Sequence, residues 1–402
     1  CGWQEVGVPQ RPALPGVFSL LFAVDRPEQI PLMERQLRRD PRWREHEAGL
    51  RRTLDQDELR WCFRICAARA GAGRIAEAGS GQRQGLWYTL GVQDRLPSSL
   101  VTCLLQDHRH RLWGGTYGKG AWYYDGAHIH SFGTAEGLPS DKVYAIGEDQ
   151  QGRVWLGTED RGISRYDGET IETFTTADGL ADDRVDGILA DRRGRLWLWV
   201  NGGPLTWVED GLCRPFSDPQ GRPLEQVTCV LEDRQGQLWF GTGNQGVGCF
   251  DGSGLRTFTR REGLGDDQIH CLLEDRQRRL WAGAITGVSQ YDGKEWRTFT
   301  ARDGLQSDQV VAIEEDGQGQ LWFGSRNGGI SRYDGKGFAT LAAGAEYRAG
   351  IGSIRTDRQG QVWFSLGDEG GCCWNGTDLH TFTTADGLGH DYVRDILMED
   401  QG

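Results

Sequence analysis

Seven tryptophans recur along the chain at an almost constant step, and this period restricts the fold more than any other feature. They are Trp113, Trp155, Trp197, Trp239, Trp281, Trp322 and Trp363, at intervals of 42, 42, 42, 42, 41 and 41 residues. A repeat of about 40 to 45 residues with one Trp, short apolar runs and fixed glycines is typical of a β-propeller, in which each repeat forms one blade. The period therefore predicts an all-β fold, a seven-bladed β-propeller of four-stranded antiparallel blades, with repeats starting near residues 101, 143, 185, 227, 269, 310 and 351.

The second repeat shows how turn residues divide each unit into strands. Asp149-Gln-Gln-Gly152 is predicted as the turn before the strand of Trp155, and Asp167-Gly168 as the hairpin into the fourth strand. An Asp-Gly pair favours this hairpin because both central residues of a type I′ turn need positive φ. Burying each indole between neighbouring sheets is worth roughly 2 to 3 kcal/mol, so the seven tryptophans are predicted to be structural.

The repeats also predict the domain organisation. Residues 86–402 are predicted as the propeller, 69–85 as a Gly/Ala/Arg/Gln-rich linker, and 1–68 as a short α/β or mainly helical segment that belongs to a partial domain or caps the propeller. Residues 86–91 align with the fourth strand of a preceding blade and 392–400 with a first strand. Seven blades are the direct interpretation, and eight blades in a longer natural chain remain the alternative.

Charge and cysteine usage exclude several classes of partner. The net charge is −13, and because residues 1–85 carry 14 Arg against 11 acidic residues, the remainder carries about −16. An acidic propeller repels phosphate backbones, so no nucleic-acid partner is expected, and no apolar run reaches the roughly 18 residues of a membrane span. Cys103, Cys229 and Cys271 share a repeat position with Ala145 and Gly187. They are predicted as small buried thiols, and no metal site or cofactor is predicted.

Ligands of propellers usually bind at one mouth of the central channel, near the loops that join second to third strands. Amide, hydroxyl and charged groups in these loops suit a sugar or small polar ligand, although solvated turn residues have the same composition. The third repeat is irregular, since Trp199-Val-Asn201 replaces its Gly-Thr motif, which reflects either drift or function. The candidate ligand-binding residues are Tyr117, Lys119, Asp160, Arg161, Asn201, Asn244, Gln245, Thr286, Arg326, Asn327, Asp368 and Glu369.

The motifs between Asp149 and Asp183, which are Asp-x-x-Gly, Leu-Gly-Thr, Tyr-Asp-Gly and Gly-Leu, resemble the two-component regulator propeller repeat. The resemblance implies the extracytoplasmic, periplasmic ligand-sensing part of a bacterial hybrid sensor, often for an oligosaccharide. It implies a non-enzymatic binding module with no cofactor. It also implies that a β-sandwich, a membrane span and a kinase act downstream in a longer chain.

Two other functions remain open at this point. Propellers with Trp-Phe strands also resemble streptogramin lyases, which are metal-dependent enzymes with a catalytic histidine. His270 is isolated in the sequence, and the remaining histidines fall in turns, outer strands and rims, so no converging set is evident. A scaffold for protein–protein interactions is the third hypothesis. An exposed apolar patch would favour the scaffold, whereas a polar mouth would favour the sensor.

Overall fold

A computed structural model of the chain shows seven four-stranded antiparallel sheets in its described part, one for each repeat. It describes residues 95–398 except 99, 126–127, 201–202, 210, 218–220, 222, 328, 342–349, 387, 389–390 and 394, together with the strands 18–20, 74–78 and 85–90. The predicted all-β fold of seven blades is confirmed. The predicted N-terminal helical segment lies outside the described residues.

The strands follow the order that the turn motifs predict. Three precede the blades: β1 (Phe18–Leu20), β2 (Arg74–Ala78) and β3 (Gly85–Leu90). The first three blades are β4 (Val101–Gln106), β5 (Leu112–Thr116), β6 (Ala121–Tyr124), β7 (Ile129–Phe132); β8 (Val143–Glu148), β9 (Val154–Thr158), β10 (Ile163–Tyr166), β11 (Ile171–Phe174); and β12 (Gly187–Ala190), β13 (Leu196–Trp199), β14 (Leu205–Glu209), β15 (Leu212–Pro215).

The remaining four blades repeat this arrangement. They are β16 (Val227–Glu232), β17 (Leu238–Thr242), β18 (Val247–Phe250), β19 (Leu255–Phe258); β20 (Ile269–Glu274), β21 (Leu280–Ala284), β22 (Gly287–Tyr291), β23 (Trp296–Phe299); β24 (Val310–Glu315), β25 (Leu321–Ser325), β26 (Ile330–Tyr333), β27 (Phe338–Thr340); and β28 (Ile354–Thr356), β29 (Val362–Ser365), β30 (Gly371–Trp374), β31 (Leu379–Phe382). Short 3-10 helices follow five fourth strands: Thr134–Glu136, Thr176–Asp178, Arg260–Glu262, Ala301–Asp303 and Thr384–Asp386.

Antiparallel pairing gives the ring two different faces. First strands of successive blades contact one another, which places them on the inside of the ring. The connectors between blades and the loops between second and third strands lie at one end, which we call the connector face; there the Gly162 N–H donates to the Asp183 carbonyl over 2.6 Å. The turns between first and second strands and the hairpins between third and fourth strands lie at the other end, the turn face.

Each of the seven tryptophans donates a hydrogen bond to the aspartate that begins the turn before it. In the sixth blade, Trp322 Nε1 donates to Asp316 Oδ2 over 2.8 Å, while Asp316 Oδ1 accepts the backbone N–H groups of Gln318 and Gln320. The corresponding distances in the other blades lie between 2.7 and 2.9 Å. One carboxylate thus folds the turn and orients the indole, so the predicted structural role of the tryptophans is confirmed.

The indoles form the contact between neighbouring blades. Trp155, for example, packs against Val185, Leu196 and Leu198 of the third blade. Six of the seven periodic tryptophans are buried, and Trp363 is half-buried. Removing such apolar surface from water is the main favourable term in folding, and here each blade depends on the next one to achieve it.

The ends of the described chain differ from the sequence prediction. Within the described residues β3 pairs with β1 and β2, whereas the alignment of residues 86–91 predicts a fourth strand of a blade. Strand β2 lies within the stretch 69–85, for which the composition predicts a linker. Among the described residues of the stretch 392–400, where a first strand is predicted, Val393 forms an isolated bridge and Leu397 packs against the core of the first blade. No helix in the described part of the chain is long and apolar enough to cross a membrane.

Candidate functional site

The third blade breaks a packing rule that other blades keep. In the first, fourth and fifth blades a cysteine on the first strand lies opposite a glycine on the second: Cys103–Gly115, Cys229–Gly241 and Cys271–Gly283. In the third blade Gly187 lies opposite Trp199, so the large and small residues have exchanged strands. A Cβ on Gly187 would lie 2.1 Å from the Trp199 ring. The absence of a side chain at Gly187 therefore makes room for the indole.

The half-buried Trp199 lines a cavity at the connector face of the third blade. The cavity is shallow and open to solvent, with room for about one water molecule. Ligand pockets usually hold about 300 to 1,000 Å³, so this cavity is far smaller than a complete ligand pocket and would contact only the edge of a ligand. The residues that line it are Leu180, Asp182, Arg184, Val185, Leu198, Trp199, Val200, Pro204 and Thr206.

The loop of this blade lacks a hydroxyl that closes the corresponding loop elsewhere. In the second blade Thr158 Oγ1 accepts the Arg161 N–H over 3.0 Å and donates to the Gly162 carbonyl over 2.8 Å. The first and fourth blades make the same contacts. Val200 occupies this position in the third blade and has no hydroxyl to offer. The cavity thus lies beside a loop that lacks this hydroxyl.

A band of aromatic and charged side chains crosses the connector face from the first blade to this cavity. Tyr117 is 45% exposed, and its ring meets Tyr144 edge to face with the centroids 6.2 Å apart. Lys142 pairs with Glu159 and lies with its Nζ 5.2 Å from the Tyr117 ring centroid. A β-bulge at Tyr144 takes this residue out of the ladder of β8. Side chains from the first two blades thus form one continuous surface.

Arg184 joins the band to the cavity. Its Cζ lies 5.7 Å from the Tyr144 ring centroid, and its Nε donates to both carboxylate oxygens of Asp186 over 2.9 Å. The hydrogen bond with Asp186 raises the pKa of Arg184. Burial raises the pKa of Tyr144, and the Glu159 carboxylate raises it further, so the phenol stays protonated at neutral pH and can donate. We call Tyr117, Lys142, Tyr144, Glu159, Arg184 and Asp186 the polar band.

The structure places the predicted loop residues around the connector face but brings few of them together. Tyr117 belongs to the polar band, and Asp160 lies close enough to Lys142 to raise its pKa, after the larger effect of Glu159. Asn201 lies outside the described residues. The others are side chains at loop tips, exposed or half-buried, and each lies in the loop of its own blade: Lys119, Arg161, Asn244, Gln245, Thr286, Arg326, Asn327, Asp368 and Glu369. For Lys119, Arg161 and Gln245 the backbone N–H forms the loop, which is a structural role.

A smaller group surrounds His270 on the fifth blade. The Asp266 Oδ2 and His270 Nε2 atoms are buried without a hydrogen-bond partner. Burial lowers the pKa of His270 and Arg326 lowers it further, against the effect of Asp266, so the imidazole is neutral at pH 7. Within the described ranges, no three His, Cys, Asp or Glu side chains are placed to hold a metal ion.

Sequence reasoning did not select Lys142, Tyr144, Glu159, Arg184 or Asp186. These residues lie in the connectors, first strands and strand ends rather than at loop tips, so a search of the tips alone misses them. The only indication of this site in the sequence was the irregular third repeat, in which Trp199 replaces a glycine. Its partner Gly187 is identified only by the pairing of β12 with β13.

Comparison with protein families identifies the repeats. The model of the two component regulator propeller matches residues 95–118, 137–160, 221–244, 263–286 and 304–327. These segments fall in the first, second, fourth, fifth and sixth blades, so the third blade, which carries Trp199, is not matched. A comparison with curated protein sequences returned no match.

Solved structures share the fold at low sequence identity. The extracellular domain of the hybrid two component system BT4673 from B. thetaiotaomicron superposes with a TM-score of 0.51 at 16% identity, over 74% of this chain and 50% of that one. The computationally designed Ika8 protein gives a TM-score of 0.54 at 16% identity, over 74% and 89%. Virginiamycin B lyase from Staphylococcus aureus gives 0.48 at 16% identity, over 60% and 83%. The chain spans about half the length of the sensor domains that it matches. Five of the seven blades thus contain segments that match the two component regulator propeller repeat.

Proposed function

We propose that this chain is a non-enzymatic, extracytoplasmic sensor propeller that binds a small polar ligand or the end of an oligosaccharide at the third-blade cavity and the polar band. The observation that carries the proposal is the half-buried Trp199 indole in a cavity beside Asp182, Arg184 and Thr206. An aromatic face next to a few polar groups is the arrangement of a small-molecule site, in which the polar groups fix orientation.

The location and the signalling role of the proposal are supported by the matched repeats and by one solved structure. The matched model is that of the two component regulator propeller, and the BT4673 structure with the same fold is the extracellular domain of a hybrid two component system. In a longer chain, downstream domains would transmit the binding event. The predicted loop residues Tyr117, Asp160 and Arg161 remain candidates for contacts with the part of a ligand that extends beyond the cavity.

The test uses a variant that restores the packing of the other blades. Gly187→Cys together with Trp199→Gly recreates the Cys–Gly pair of the first, fourth and fifth blades and removes the indole without introducing an unfamiliar contact. Leu212→Ser, on an exposed side chain of the same blade at the turn face, is the matched control.

Thermal-shift and calorimetric screening against mono- and oligosaccharides and polar metabolites would reveal a ligand of the wild-type chain. We expect the double variant to bind this ligand at least about tenfold more weakly, a loss of about 1.4 kcal/mol, and the control to bind unchanged. Equal affinity of the wild type and the double variant would refute the proposed site. Consumption of the ligand in a reaction that requires a divalent cation would refute the non-enzymatic assignment.

A further inference from the structure

The turn face carries an arginine-rich ring although the chain as a whole has a charge of −13. In the turns between first and second strands, the aspartate that begins each turn points inward and accepts the indole N–H of its tryptophan. The exposed positions of these turns carry Arg, Gln, His and Gly. Acidic charge at these turns is thus internal, and basic charge is external. The exposed arginines of these turns are Arg109, Arg192, Arg193, Arg234, Arg276, Arg278 and Arg358.

Three of these arginines are held in the same way at three successive blade boundaries. The guanidinium Nη1 of Arg192, Arg234 and Arg276 donates to a backbone carbonyl in the next turn, over 3.1, 3.3 and 2.7 Å respectively. The backbone N–H of each donates to a glutamate of the next blade, over 3.0, 2.8 and 2.8 Å. Because the blades repeat, these contacts place the three guanidinium groups in order along an arc. We call Arg192, Arg234 and Arg276 the arginine arc.

The guanidinium groups of the arginine arc retain donors for an external anion. Arg has five N–H donors in a planar fork, which matches carboxylate and sulfate groups. The partner glutamates Glu232, Glu274 and Glu315 accept the backbone N–H groups and also form long ion pairs with the arginines, with carboxylate oxygens 3.9, 3.8 and 3.9 Å from the Nε atoms. Side-chain exposures of 58, 46 and 51% leave the arginines accessible to solvent.

The surroundings of the arc restrict the kind of partner. Protein interfaces depend on buried aromatic and aliphatic anchors, yet the described residues of these turns expose no large apolar side chain. The hairpins between third and fourth strands lie at the same face and carry aspartates, among them Asp251, Asp292 and Asp334. This acidic rim repels a broad polyanion such as a nucleic-acid duplex. A narrow, flexible anionic chain can follow the turns without approaching this rim.

We propose that the arginine arc binds a linear acidic polysaccharide through its carboxylate or sulfate groups. This site lies on the face opposite the third-blade cavity and is independent of the function proposed for that cavity. The arc supplies ordered donors that need not be reorganised on binding, and multiple weak contacts along one polymer add up to a measurable affinity.

The test compares charge-matched variants of the whole chain. The triple variant Arg192→Gln, Arg234→Gln, Arg276→Gln removes the arc, and Arg256→Gln, Arg261→Gln, Arg302→Gln removes three exposed arginines that lie outside these turns. Far-UV circular dichroism and melting temperatures verify folding. A variant with Lys at the three arc positions keeps the positive charge but lacks the planar set of guanidinium donors. It is used instead if the Gln variant does not fold.

Binding to polygalacturonate and dextran sulfate is measured at several salt concentrations, with neutral dextran, poly-L-glutamate and single-stranded DNA as comparisons. We expect the arc variant to bind the two acidic polysaccharides about tenfold or more weakly, with a shallower salt dependence, and the control to bind as the wild type does. Equal losses in both triple variants, or no binding of either polysaccharide at low salt, would overturn the proposal. Tighter binding of polyglutamate or DNA than of both polysaccharides would overturn the assignment of the polymer.

Discussion

The exchange of large and small residues between Gly187 and Trp199 leads to a prediction in which one substitution has opposite effects in two backgrounds. In the wild type, Gly187→Ala would bring a Cβ to 2.1 Å from two atoms of the indole. Carbon atoms in contact lie about 3.5 to 4.0 Å apart, so the ring must move by more than about 1.4 Å. Overpacking of this kind costs about 1 to 3 kcal/mol of unfolding free energy.

In the Trp199→Gly background the same alanine recreates the Ala145–Gly157 pair of the second blade. Gly187 does not have a positive φ, so the alanine there reduces the entropy of the unfolded chain without backbone strain. A gain of about 0.4 to 1 kcal/mol is expected. The coupling free energy between the two positions is therefore about 1.5 to 4 kcal/mol, the difference between these two effects.

Equilibrium unfolding in urea of the four proteins, followed by far-UV circular dichroism, measures this coupling. Circular dichroism is preferred because the loss of an indole changes the fluorescence signal directly. Gly187→Ala should lower the unfolding midpoint of the wild type and raise that of Trp199→Gly. If its effect in the two backgrounds agrees to within about 0.5 kcal/mol, the indole does not depend on the missing side chain of Gly187, and the account of the cavity is wrong.

Three further predictions concern the structural motifs. Asp316→Asn places an amide N–H against the indole N–H of its blade and should cost about 1.5 to 3 kcal/mol in urea unfolding, with a smaller cost once that Trp is replaced by Phe. Burial raises the pKa of Asp107, but hydrogen bonds from the neighbouring indole and guanidinium outweigh it and lower the pKa below 3.8. The hydrogen bonds to the Asp107 carboxylate stabilise the fold fully above the pKa that Asp107 has in the unfolded chain, and this stabilisation is lost as the pH falls through its pKa in the folded protein. Trp113→Phe should therefore destabilise the protein more at pH 7 than at pH 2, which unfolding curves at both pH values would show. Gly246→Ala should lower the melting temperature more than Gly168→Ala, since both have positive φ but only the Cβ at Gly246 would clash, at 2.0 Å from a carbonyl oxygen; equal shifts would contradict this.

The fold could be derived from the sequence because its causes are local and repeated. Asp149, Gly152 and Trp155 lie within seven residues and form the turn, the strand and the blade contact, and the same set recurs in each unit. The second oxygen of each turn aspartate, which binds the indole, was not anticipated. The turn pattern suggests only a backbone cap, and the indole comes into reach when the first two strands pair.

The candidate site could be derived only in part. Strand order decides where loops emerge, so the loops between second and third strands can be assigned to one face from the sequence; the binding role of their tips stays a prediction. Apart from Tyr117, the polar band was missed, because Tyr117, Tyr144 and Arg184 come from different repeats and lie 27 and 40 residues apart in the chain. Their contacts depend on the angle between neighbouring sheets, which no local pattern encodes.

By itself, then, the sequence determined the number of blades, the turns and the buried tryptophans, because each repeat contains the turn aspartate, the glycine and the tryptophan that form one blade. Only the tertiary structure decided which side chains meet across blades. It placed the Trp199 indole over Gly187, joined the polar band to the cavity and aligned the arginine arc on the opposite face. These arrangements depend on distances between separate repeats, and such distances exist only once the ring has formed.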